Sequence, residues 1–339
     1  MYELKTVFVT GASGYIAKHI VLQLLEGGYA VKGSIRSDRK AEEMKAALAD
    51  ALDASALDRL ELVKLDLTSD DGWGKALQGA DVLMHTASPF PIEEPKHPDD
   101  LIRPAVDGTL RALNAARDAG IHRVVLTSSS AAIMGKDLEG RAYDESDWTD
   151  MERPHTSSYT KSKTMAEQAA WDFVEKHPDI QLTTINPVFV LGPGVDGNFG
   201  SSLQIIQRLI RRKDPAMPRL SFPIVDVRDI ARMHIRAMER DEAIGRRFIG
   251  SSEVLWFTEI AETLKERLPS RKIITRQAPD FLIRIIGLWD KAVRGIIPDL
   301  GRDISINNSA AKEVLGIDFI PARQTVGDSG AFIVDNGYF

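Results

Sequence analysis

Short apolar runs alternate, through the first half of this chain, with stretches whose apolar residues recur every three or four positions. Such switching between strand and helix periods marks a parallel sheet wrapped by helices. Residues 6–10, 30–35, 60–65, 82–86, 123–127 and 182–186 read as six strands. Helices are expected over 15–26, closed by Gly27 and Gly28, and over 101–119. A further helix, capped by Ser37 or Asp38, is expected to reach about Asp53, and another runs from Tyr159 to about Lys176. After Pro187 the alternation fades, and Gly192-Pro193-Gly194 and Asp196-Gly197-Asn198 mark a loop. Residues 222–227 are expected to return to the main domain as a strand. The expected class is α/β: a Rossmann-type doubly wound parallel sheet over 1–190, with a returning segment at about 220–245. A smaller α+β substrate lobe is expected over 191–219 and 246–339.

Composition narrows the function. The chain has 339 residues, enough for one large α/β domain with an appendage. Lys and Arg number 43 against 49 Asp and Glu, so the net charge is -6 and the basic footprint of a nucleic-acid binder is missing. There is no cysteine, which removes disulfides, thiolate metal sites and thiol nucleophiles and fits a reducing cytoplasm. The first apolar run is short and leads straight into a glycine turn, so it reads as a strand and not a signal peptide. No apolar run approaches the roughly 20 residues of a membrane span. The stretch Phe281 to Trp289, apolar with basic residues nearby, is expected to pack the small lobe or line an apolar pocket rather than lie on a membrane. The seven histidines show no paired metal-ligand spacing, and His85 is expected to be structural. A salt-bridged strand–helix junction is expected at Asp226-Val227-Arg228-Asp229.

Thr10-Gly11-Ala12-Ser13-Gly14-Tyr15-Ile16-Ala17 follows the first strand and opens the first helix. Gly11 and Gly14 let the backbone bend and approach a phosphate, and the free N–H groups of Ser13, Tyr15 and Ile16 lie at the helix amino end. Ala17 stands at the third glycine position of a dinucleotide turn, where a methyl group is tolerated. An acid at the end of strand two would select NAD through the ribose hydroxyls. Here that strand ends in Arg36, with Arg39 and Lys40 following, and Arg36 and Lys40 suit a 2′-phosphate. NADP(H) is the expected cofactor. Asp38 comes two residues late and reads as a helix cap.

Tyr159 and Lys163 share a helix face at i and i+4, whereas Lys161 points elsewhere. A phenol has an ordinary pKa near 10. Lys163 and the positive ring of oxidised cofactor would lower it, making Tyr159 a general acid. Thr127-Ser128-Ser129-Ser130 ends strand five and can supply the hydroxyl that fixes a substrate oxygen.

These segments together resemble the extended short-chain dehydrogenase/reductases, in the branch of dihydroflavonol reductases, cinnamoyl-CoA reductases and aldehyde or ketone reductases. The resemblance covers about residues 5 to 250. It rests on VTGASGYIA, SIRS, LDLTSDDGW, HTASPF, RVVLTSSS, YTKSKTMAEQAAW and INPVFVLGP, in this order. It implies adenine contacts at Asp66 and Leu67, and a ribose and pyrophosphate path along Thr86, Ala87 and Ser88. Cofactor contact is also implied at Thr127, with Pro187 and Val190 bordering the nicotinamide and Lys163 holding its ribose. The serine that the related carbonyl reductases use falls on Ser129, and the one that sugar epimerases use falls on Ser130. Met134 lies near the place where plant dihydroflavonol reductases carry an asparagine, so a flavonoid substrate is not expected. The cysteine motifs of cinnamoyl-CoA reductases are absent.

The expected activity is NADPH-dependent reduction of an aldehyde or ketone. The alternatives are a 3β-hydroxysteroid dehydrogenase, an NAD-dependent nucleotide-sugar epimerase or dehydratase, and an NADP-sensing regulator. The expected partners are a small carbonyl or alcohol substrate, with no nucleic acid and no membrane. The resemblance leaves a homodimer and a monomer both open.

Overall fold

The computed structural model describes residues 5–89, 97–136, 138, 140–153 and 156–339. Phe90, the end of the HTASPF segment, lies outside them. Seven strands form one parallel sheet: β1 (Thr6–Val9), β2 (Ala30–Ile35), β3 (Leu60–Lys64), β4 (Val82–His85), β5 (Arg123–Thr127), β6 (Gln181–Pro187) and, from further along the chain, Arg246–Gly250. Three more elements stand apart from it: β7 (Phe189–Leu191), β8 (Ser221–Asp226) and a strand at Glu253–Trp256. In chain order Arg246–Gly250 is β9 and Glu253–Trp256 is β10.

The order in the main sheet is β3-β2-β1-β4-β5-β6-β9. Chain direction across the sheet reverses between β1 and β4, which opens a crevice at their carboxyl ends. Side-chain alternation makes the two layers. Val7, Val9 and Val125 pack against the Tyr15–Glu26 and Val227–Glu239 helices. Phe8, Val124 and Leu126 pack on the other face with Leu113 and Phe173, from the Asp99–Asp118 and Ser158–Lys176 helices. Each such side chain, fully buried, contributes roughly 1.5–3 kcal/mol.

The strand expected at 222–227 forms, and one other expectation, at 281–289, needs correction. The strand predicted at 222–227 is β8, and it pairs with β7 and β10 in a separate three-stranded sheet. The seventh main-sheet strand is instead β9, in register with β6 from Thr183↔Arg246 to Pro187↔Gly250. Both strands end in a continuous buried run, so pattern alone could not assign them to a sheet. The correction concerns residues 281–289. Ile283 and Gly287 are buried, but Phe281, Leu282, Ile285, Ile286, Leu288 and Trp289 are exposed, Trp289 by 77%. Among the described residues no helix is long and apolar enough to cross a membrane.

The Asp226 junction is ion-paired as its charges suggest. Asp226 caps the following helix by accepting from Arg228 N at 2.9 Å, and the Arg228 guanidinium bridges Asp226 and Asp328 at 2.7 Å each.

Candidate active site

The turn after β1 and the segment after β4 meet at the reversal point. Gly11 has φ of 62°. A Cβ there would lie 3.1 Å from Ala87 Cα, so glycine is what lets the two backbones touch. Gly11 N–H donates to Ser34 Oγ at 2.8 Å, and Gly14 N–H donates to Gly11 O at 2.8 Å. Gly14 caps the helix, whose free amino end opens here. Ser13 and Ile16 are half-buried around it. The Tyr15 ring is turned away, its hydroxyl donating to Gly192 O at 2.8 Å.

Thr10 fixes the other wall. Its Oγ1 accepts from Thr86 N at 3.0 Å and Ala87 N at 2.9 Å, and lies 2.9 Å from His85 Nδ1. With both lone pairs occupied, the Thr10 hydroxyl donates to Nδ1 and His85 keeps its proton on Nε2. Burial pushes the His85 pKa down to about 3, so the ring stays neutral. His85 thus has the structural place expected of it. Ser88 is half-buried beside Ala87, and both line a small cavity with Thr127, Ser128 and Lys163.

Arg36 is exposed just past the end of β2. Arg36 lines a cleft with Thr10, Ser34, Leu65, Leu67 and Ala87, and makes no hydrogen bond or ion pair among the described residues. Lys40 is engaged: its Nζ donates to Glu43 at 2.8 Å. Ser37, not Asp38, caps the next helix, and Asp38 pairs with Lys64 at 2.6 Å. That helix stops at Ala49, and Asp53 caps a separate short turn, Ala54–Leu57. Asp66 Oδ1 accepts from both Thr68 N and Thr68 Oγ1 at 2.8 Å, and these bonds hold its pKa below the ordinary carboxylate value.

At the centre, Tyr159 OH donates to Ser129 Oγ at 3.5 Å. Ser130 lies one residue on, in the Ser130–Ala132 turn that Ser129 caps through Ala131 N at 3.1 Å. Lys163 Nζ sits 5.9 Å from the Tyr159 ring centroid. Burial pushes Lys163 down to about 8, opposed by the Glu167 charge. Burial also raises the Tyr159 phenol, the Ser129 bond acting the other way. The lowering expected from Lys163 is not among the causes of the shift; burial, invisible to residue spacing, sets its direction. Pro187 and Val190 are buried at the end of β6 and in β7. The Thr127 hydroxyl is 2.6 Å from His234 Nε2, so it faces the Val227–Glu239 helix.

Sequence reading missed the buried support. Glu167 stands one turn past Lys163 and accepts from Ser128 Oγ, Asn186 Nδ2 (2.7 Å) and Arg247 Nε (2.7 Å). Asn186 also donates to Ser129 O at 3.2 Å, tying this network to the serine. The available signal was a carboxylate on the Tyr159–Lys163 helix face at i+4 from the lysine. Lys18, buried in the first helix, pairs with Asp196 and donates to Asn198 O at 3.0 Å, pinning the 192–198 loop. Among the described residues no three His, Asp or Glu side chains gather as a metal site. A phenol hydrogen-bonded to a serine hydroxyl, with a buried lysine amine 5.9 Å from the ring centroid, can hold a carbonyl oxygen and deliver a proton to it.

Comparison with known proteins agrees with this geometry. The family model described as the NAD dependent epimerase/dehydratase family matches residues 7–249, and the chain belongs to that family. Within it the similarity is to the reductase branch. The chain is 31% identical to the NADPH-dependent methylglyoxal reductase GRE2 of Saccharomyces cerevisiae over 350 residues, covering 97% of this chain and 98% of that protein. It is 38% identical to the cinnamoyl-CoA reductase CAD2 of Medicago truncatula over 281 residues, covering 81% of this chain and 84% of that one. The solved structure of Gre2 with NADPH from Candida albicans superposes with a TM-score of 0.81 at 30% identity, over 98% of this chain and 99% of that one.

Proposed function

We propose that the protein is an NADPH-dependent carbonyl reductase that turns an aldehyde or ketone into an alcohol. The observation that carries the reading is Tyr159 OH standing 3.5 Å from Ser129 Oγ, with Lys163 Nζ 5.9 Å from the same ring. The described residues fit NADPH. The Gly11 turn leaves no room for a Cβ against Ala87, and Arg36 stands beside the adenosine cleft without a partner among the described residues.

When bound, NADPH supplies the hydride from C4 of its nicotinamide. Gly11 and Gly14 would let the pyrophosphate approach the turn closely, and the backbone N–H groups of Ser13, Tyr15 and Ile16 would hold it at the helix amino end. Arg36 takes the 2′-phosphate, aided by Lys40. Leu67 and Asp66 flank the adenine, and Thr86, Ala87, Ser88 and Thr127 line the path to the nicotinamide. Pro187 and Val190 border the ring, and Lys163 holds the ribose. Ser129 donates to the substrate oxygen, and Tyr159 gives it the proton. Residues 1–190 and about 220–245 make the cofactor domain. The lobe of 191–219 and 246–339, β9 excepted, covers the substrate. We also infer a cytoplasmic enzyme that acts on small molecules without a membrane partner. A homodimer through the Rossmann helices is the state to test by light scattering.

The test is NADPH consumption by the purified protein against aldehydes, diketones, 2-ketoesters, ketosteroids and dihydroflavonols, with NADH in parallel. Turnover with NADPH well above NADH supports the reading. Failure with every carbonyl, despite NADPH binding, would sink it.

A further inference from the structure

A cavity of about 260 Å³ is walled by residues adjoining the Tyr159–Ser129 pair rather than by the pair itself, Ala131 N–H in its wall donating to Ser129 Oγ at 3.1 Å. Thr160, next to Tyr159, and Ala131, two residues past Ser129, are among its walls, as are Met134 and, from the smaller lobe, Gly295, Pro298, Asp299 and Arg302. The size suits a small molecule. Two guanidiniums line this cavity, and among the described residues one of them, Arg302, has an acidic partner. Arg302 donates to Asp299 Oδ1 at 2.9 Å and to the Tyr143 hydroxyl at 3.2 Å. The half-buried Arg153 side chain makes no hydrogen bond or ion pair among the described residues. The hydroxyls of Thr156, Ser157 and Thr160 stand in the same lining. The Ser158–Lys176 helix has no acidic residue in its first turn to offset its amino end.

A guanidinium that lines a cavity with no acidic partner among the described residues can take an anion from outside. We infer that the carbonyl substrate carries an oxyanion group, a carboxylate or a phosphate, that Arg153 binds while the carbonyl lies at Tyr159 and Ser129. This rests on the carbonyl-reductase reading and adds the substrate class. Arg302 is a lesser contributor because Asp299 already faces it. The cavity size favours a short oxo acid or a small phosphorylated carbonyl over a bulky aromatic ketone.

The test uses matched pairs in which only the charge differs: 2-, 4- and 5-carbon aldehyde acids against their methyl esters, and dihydroxyacetone phosphate against dihydroxyacetone. Wild-type kcat/KM is expected to favour one anionic class over its neutral partner by about ten-fold or more. The acid series and the phosphate pair tell which class it is. Rising ionic strength should raise KM for the anion more than for its partner. Arg153→Gln should shrink the ratio toward one, Arg153→Lys should keep part of it, and a circular dichroism spectrum checks folding. Acids and esters within about three-fold of each other, with a ratio that Arg153→Gln leaves in place, would overturn the inference while the reductase reading stood. No reduction of any compound, esters included, would overturn both.

Discussion

Tyr159 and Ser129 come from elements 30 residues apart, yet the Tyr159 hydroxyl donates to Ser129 Oγ at 3.5 Å. Ser130 starts the short turn that Ser129 caps. Tyr159→Phe should therefore lower kcat about 100- to 10,000-fold, with NADPH affinity, read by fluorescence titration, held within a few-fold. Ser129→Ala should lose at least ten times more kcat than Ser130→Ala. Equal losses would return the assignment to the serine run as a whole.

Lys163 carries a stability cost. Its folded pKa, about 8, lies below the ordinary lysine value of 10.5. Between those values the unfolded chain binds the additional proton, so stability rises with pH across that window and the cost is full below it. Lys163→Met should stabilise the ligand-free protein at pH 7 by up to about 3 kcal/mol, and by much less near pH 10.5. The same variant should lose most of kcat/KM. Urea melts at the two pH values check this, and destabilisation at pH 7 would contradict it.

Arg36 and Lys40 differ in what they already hold. Lys40 is bound to Glu43 at 2.8 Å, whereas Arg36 has no such partner among the described residues. Arg36→Ser should shift the ratio of kcat/KM for NADPH over NADH by about 10- to 100-fold toward NADH. Lys40→Ala should shift it less than about three-fold. The reverse order would move the phosphate site to the helix after β2.

Glu167 and Arg247 form a buried pair at 2.7 Å, with side-chain exposures of 0% and 9%. Removing one partner leaves an uncompensated buried charge, so Glu167→Ala should cost about 3–5 kcal/mol in urea unfolding. Because Glu167 also accepts from Ser128 and Asn186, a cost below about 1 kcal/mol would mean that water or a rotamer change replaces the network.

Local rules carried much of this into the sequence. The 15–26 helix and the strands 30–35 and 123–127 fall where periodicity and glycine placed them, because each is bounded by its own turn residues. The meeting of the Gly11 turn with Ala87 was legible as a motif, since its spacing serves one backbone geometry. Long-range pairing was not legible. Whether β8 or β9 joins the main sheet depends on which partner edge is free, and neither strand's own residues encode that. The raised Tyr159 pKa and the Glu167 network both follow from burial by segments distant in the chain. The exposure of Phe281 and Trp289 runs against apolar patterning, which reports what could be buried and not what is.

Hydride transfer itself is the most direct test. NADPH deuterated at the transferable C4 position would be supplied with a reducible aldehyde, and the alcohol analysed by mass spectrometry. The account predicts one deuterium on the carbinol carbon, consumed mole for mole with cofactor and lost in Tyr159→Phe. Conversion of substrate with no deuterium incorporated and no net cofactor oxidation would contradict it and point to epimerase-type chemistry.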